Sequence, residues 1–162
     1  MTVVTFLDKP INIIMKKLTL ALIALAAVLS VQSARAHCQV PCGIYGDEAK
    51  FGQLKQHIET IAKASAQINE LAEKADPSLQ DKHQIVRWIS NKEHHAQEII
   101  DEAANYFLAQ RIKPDADNYA KKVELLHHII VYSMKAKQTI DGEAVKTLSA
   151  KLDEFEKLYN AK

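Results

Sequence analysis

Ten consecutive residues, His37-Cys38-Gln39-Val40-Pro41-Cys42-Gly43-Ile44-Tyr45-Gly46, hold both cysteines of the chain, two of its four glycines and one of its four prolines. Such a segment is built to turn tightly around something small, not to cover a helix face. If the chain begins at His37, that residue offers an α-amine as well as an imidazole. An α-amine titrates near ~8, so a metal displaces its proton at modest cost. Cys38 adds a thiolate and, beside the terminus, a backbone nitrogen within chelate range. Cys42 adds a second thiolate once the chain turns through Pro41. Amine, amide nitrogen and two thiolates make an N2S2 plane with the imidazole free to sit above it. Tetragonal, nitrogen-rich sites suit nickel(II) or copper(II), whereas zinc prefers a tetrahedron. The competing use of the same two residues is a small Cys38–Cys42 disulfide, which an exported chain permits.

The segment before His37 reads as a leader, so residues 1–36 are expected to be removed. Met15 is followed by Lys16 and Lys17, then by the uncharged run from Leu18 to Val31, then by Ala34-Arg35-Ala36. That order is a positive n-region, an apolar core and an A-x-A cleavage signature, a secretory signal over 15–36. The run is shorter than the ~20 apolar residues that span a bilayer. Cleavage after Ala36 exposes His37 as the first residue. The expected product is exported, to a periplasm or outside the cell, with no membrane association.

Composition bounds the rest. The 162 residues carry 21 Lys+Arg against 20 Asp+Glu, and removing the leader turns the balance slightly acidic. That excludes a strongly basic nucleic-acid binder. Two cysteines exclude a disulfide-dense scaffold and a four-cysteine zinc site.

The elements that must position the hook are helices. Leu54, Ile58, Ile61, Ser65, Ile68 and Leu71 follow 3–4 spacing, with Asp47 as the expected N-cap. Ala75-Asp76-Pro77-Ser78 breaks that pattern. A second stretch from about Leu79 to Gln110 carries Ile85, Trp88/Ile89, Ala96, Ile99/Ile100, Ala103 and Phe107, and ends at Lys113-Pro114-Asp115. Trp88 is assigned to the core or to a subunit contact. The third helix carries Val123, Leu126, Ile130 and Met134. The fourth, capped by Asp141, carries Val145, Leu148, Leu152, Phe155 and Tyr159. Four amphipathic segments with short connections predict an all-α, antiparallel four-helix bundle over 47–162, preceded by a metal-binding hook over 37–46.

His37-Cys38-x-x-Pro41-Cys42-Gly43-x-Tyr45 resembles the N-terminal nickel hook of the nickel superoxide dismutases at every fixed position. The stretches Asn91-Lys92-Glu93, Tyr106-Phe107 and Lys113-Pro114 resemble that family's second helix and the turn after it. The resemblance implies a four-helix bundle assembled as a homohexamer, with nickel as cofactor and superoxide as substrate. It assigns His37 the amine and axial imidazole, Cys38 its amide nitrogen and thiolate, Cys42 its thiolate, and Tyr45 the screening of the open axial side. Pro41 and Gly43 shape the turn. The chain departs from the family at Gln39, where an Asp is usual. It departs again at Gln53 and His95, which fall near the places of a carboxylate and an arginine that steady the axial imidazole. Asp47 or Glu48 is the alternative carboxylate.

The resemblance implies disproportionation of superoxide to oxygen and hydrogen peroxide by Ni(II)/Ni(III) cycling. The alternatives are a copper-loaded dismutase on the same hook, an exported nickel- or copper-binding protein without turnover, and a structural bundle with a disulfide. Lys50 and Lys55 are candidates for attracting the anion, weighed against an ordinary solvated helix face. Adjacent histidines project ~100° apart on a helix, so neither His94-His95 nor His127-His128 chelates easily through both rings. His57 and His83 are expected at the surface.

Overall fold

The computed structural model describes residues 46–161 together with Thr19, and the chain from Gly46 onward is all-helical there. Helix α1 (Asp47–Ala72) is followed by α2 (Leu79–Asp101), a π-helical segment (Glu102–Arg111), α3 (Tyr119–Gln138) and α4 (Gly142–Asn160). Each helix packs on the next, and α4 closes back on α1. With connections as short as 73–78, 112–118 and 139–141, this ring of neighbours is an antiparallel up-and-down bundle. No helix among the described residues is long and apolar enough to cross a membrane.

Helix α1 buries Phe51, Leu54, Ile58, Ile61, Ala64, Ser65 and Ile68, the expected stripe extended by one turn toward the N-terminus. Leu71 is half-buried. Its N-cap is Gly46, at φ 80°, and no side chain caps the helix. A positive φ favours a residue without a Cβ. Asp47 is therefore the first helical residue and not the cap, and its carboxylate turns elsewhere.

Ser78 starts α2 with a capping box: its hydroxyl accepts from the Asp81 amide, and the Asp81 carboxylate accepts from the Ser78 amide. Lys74, at 2.6 Å from Asp81, adds its charge. The first half of α2 is not core. Ile85 and Trp88 are only half-buried, and Leu79, Val86 and Ile89 are 84%, 65% and 38% exposed. Lys92, 2% exposed, explains why. Its ammonium donates to the carbonyls of Ala136, Lys137 and Thr139 at 2.5, 2.8 and 3.0 Å, closing the C-terminus of α3. Helix α3 ends at that level, so the part of α2 before Lys92 projects past it.

On α3 the buried seam is Leu125, Leu126, Ile129, Ser133 and Ala136. Val123 and Ile130 are half-buried and Met134 is 47% exposed, so the seam lies rotated from the expected stripe. Ser133 and Ala136 occupy core positions that hydropathy alone does not mark. On α4, Asp141 caps as expected, accepting from the amides of Glu143 and Ala144, and Val145, Leu148, Leu152 and Phe155 are buried.

The end of the bundle from which the hook departs is aromatic. Phe51 packs on Phe107 and Phe155 at centroid distances of 5.1 and 5.7 Å, and Tyr159 edges onto Phe51 and Phe107. Each buried ring contributes roughly 1.5–3 kcal/mol, which makes this end a firm platform.

Candidate metal centre

His37, Cys38, Cys42 and Tyr45 lie outside the described residues, as does the leader. The described chain begins at the hook's shoulder, Gly46-Asp47. There the Asp47 carboxylate gathers three donors from other elements. Arg111 Nη2 donates to Oδ2 at 2.5 Å, the Tyr159 hydroxyl donates to the same oxygen at 2.7 Å, and the Tyr106 hydroxyl donates to Oδ1. Burial alone would push the Asp47 carboxyl up, but the bonds from Arg111, Tyr106 and Tyr159 outweigh it and hold it below the ordinary range. Burial and the Asp47 bond push the Tyr106 phenol up to about 12, so it stays a donor at any physiological pH.

The π-helical winding supplies this convergence. Residues five apart on an α-helix point about 140° apart at 100° per residue. In a π-segment they are hydrogen-bonded neighbours, as in the bond from the Ile112 amide to the Phe107 carbonyl at 2.9 Å. Tyr106 and Arg111, five apart, thus reach one carboxylate. The hydropathy pattern predicts ordinary α-helix to about Gln110, which marks neither Arg111 nor its partnership with Tyr159 at Asp47. The paired Tyr and Arg at i and i+5 is the signal that was present.

The two lysines considered for anion attraction are committed elsewhere. Lys50 pairs with Glu102 at 2.6 Å and sits 5.0 Å from the Tyr106 ring centroid. Lys55 pairs with Glu156 at 2.5 Å and lies 3.8 Å from Asp153. Both are neutralised within the bundle.

Gln53 is exposed on α1. His95 is half-buried on α2, and its Nδ1 lies 2.7 Å from Nδ1 of His57 on α1. His57, expected at the surface, is instead half-buried in a cross-helix pair. His94 contacts the His95 ring at 5.4 Å between centroids and approaches Glu98 at 3.8 Å. The rings of His127 and His128 lie 6.2 Å apart.

No curated protein and no solved structure matches the chain. A family model described as nickel-containing superoxide dismutase matches residues 32–162, a span that takes in the hook and every helix of the bundle. Together with the all-helical fold, that match makes the chain a member of the nickel-containing superoxide dismutases, enzymes that act on superoxide with a nickel cofactor.

Proposed function

We propose that His37, Cys38 and Cys42 hold the nickel and that the enzyme works by Ni(II)/Ni(III) cycling on a hook freed by cleavage after Ala36. The observation that carries the reading is the placement of His37, directly after Ala34-Arg35-Ala36 and directly before Cys38, in a matched span that includes both cysteines. The donor set fits the metal. An amine, an amide nitrogen and two thiolates are electron-rich donors that would suit nickel in a tetragonal site, whereas zinc would prefer a tetrahedron. Nickel held there supplies a one-electron couple between Ni(II) and Ni(III) for the balance 2 O2•− + 2 H+ → O2 + H2O2.

The chain's own residues then have separable tasks. His37 would offer its α-amine and imidazole to the metal, and Cys38 its amide nitrogen and thiolate. Cys42 would add the second thiolate across the turn that Pro41 and Gly43 shape. Tyr45 would restrict entry to small anions. With Lys50 and Lys55 ion-paired to Glu102 and Glu156, neither is reserved for attracting superoxide. Export and a hexameric assembly belong to the same reading, supported by the signal pattern and by the family.

Superoxide decay followed by pulse radiolysis tests it, on protein beginning at His37 and loaded separately with nickel and with copper. Fast decay with nickel is expected, and its loss in Cys38→Ser, in Cys42→Ser and on adding one residue before His37. Full activity with an added N-terminal residue would overturn the assignment of the amine. Activity with copper alone would overturn the nickel couple, and tight binding without turnover would leave a metal carrier.

A further inference from the structure

Among the described residues, α1 and α2 bring together a cross-helix pair of imidazoles that is not part of the proposed nickel ligand set, although His95 falls near the place of the family's arginine behind the axial imidazole. His57 on α1 and His95 on α2 face each other with their Nδ1 atoms 2.7 Å apart and their ring centroids 4.9 Å apart. Only one proton fits between two such nitrogens, so one ring donates from Nδ1 and the other accepts there. Both rings are half-buried and so partly open to solvent. Burial depresses the proton affinity of each ring; His95 lowers that of His57 further, and His94 that of both. Both therefore stay neutral, the form a metal requires.

At 2.7 Å the two nitrogens share a hydrogen bond, so an ion enters by displacing that proton and turning both rings until their lone pairs converge on it. Among divalent first-row ions, copper(II) binds nitrogen most tightly.

We propose that His57 and His95 form a second metal site, selective for copper(II), that ties α1 to α2. On binding, the proton between the rings moves to Nε2 of the ring that carried it, so both imidazoles remain neutral and no proton is released. Among the described residues no group of three or more His, Cys, Asp or Glu side chains is arranged as a ready cage. The site therefore has two protein ligands and completes its plane with water. The charge of the Glu98 carboxylate, which acts on both rings, offsets part of the added positive charge, while Glu102 is already paired with Lys50.

The test is a copper(II) titration of the nickel-loaded, full-length mature protein, followed by calorimetry and by EPR for nitrogen hyperfine from two imidazoles, with nickel release monitored. One copper(II) per chain is expected in addition to retained nickel, with zinc(II) binding more weakly at the same position. His57→Ala and His95→Ala should each cost more than the ~10–100-fold that loss of an outer partner costs. His57→Gln, which leaves His95 a hydrogen-bonding partner but no second imidazole, should behave like His57→Ala, while His127→Ala should bind as the parent does. Unchanged copper affinity in the His57 and His95 variants overturns the site. So does the absence of a second equivalent, or copper uptake matched by nickel release.

Discussion

Arg111 reaches Asp47 across sixty-four residues of sequence and donates to its carboxylate at 2.5 Å, at the point where the hook joins the bundle. The pair is neither a surface ion pair nor a helix cap. Tyr106 and Tyr159 donate to the same carboxylate, so the first residue of α1 is tied at once to the π-segment and to the last turns of α4. The start of α1, next to Gly46, is thereby held from two other elements of the bundle.

Removing the charge at that point has a definite expected effect. Asp47→Asn keeps an acceptor for a tyrosine but leaves the half-buried guanidinium of Arg111 without its counter-charge. A loss of about 2 kcal/mol is expected, below that of a fully buried pair because the group is partly solvated. Urea unfolding of the nickel-loaded protein measures it. Arg111→Lys should recover little, since a lysine has no planar fork to reproduce the approach.

Lys92 gives a larger effect from farther away. Its ammonium satisfies three carbonyls at the end of α3, so Lys92→Met preserves the stem and leaves those acceptors unpaired. On the order of 3 kcal/mol should be lost. Thermal unfolding checks this, and amide exchange should show the loss concentrated in the last turn of α3.

Ser133 predicts the opposite sign. Its hydroxyl is fully buried on α3 and makes no hydrogen bond. Ser133→Ala removes a desolvated polar atom without opening a void of consequence. The bundle should gain up to about 1 kcal/mol, read as a raised denaturation midpoint.

The histidine pair sets a pH dependence. Burial, with neighbouring imidazoles, lowers the pKa of His57 and His95 below the ordinary value of 6.5 in the folded chain. The unfolded chain therefore binds protons first as pH falls below about 6.5, and folding stability declines from there until the folded rings titrate. The metal-free protein should unfold at lower urea concentration at pH 5 than at pH 7.5. A His57→Gln/His95→Gln variant should lose most of that difference.

Chelation separates the metal's role from the fold's. The described core is closed by apolar side chains of all four helices. Removing nickel should abolish dismutation and leave the helical circular dichroism of the bundle unchanged, whereas parallel loss of both would show that the hook holds the fold.

What the sequence determined by itself was the family and the class of fold. The residue types and their order over 37–46 are local, and so are the capping of α4 by Asp141 and the 3–4 spacing of α1 and α4, since each depends only on near neighbours in the chain. Tertiary structure decided what depends on partners far apart. The seam of α3 turned onto Ser133 and Ala136 because packing, not hydropathy, chose the buried face. The front of α2 stayed exposed because α3 stops at Lys92. Asp47 left its expected cap for Arg111, Tyr106 and Tyr159, and a π-turn was needed to align two of them. His57 met His95 only because α1 and α2 lie side by side, a juxtaposition that no spacing within either helix encodes.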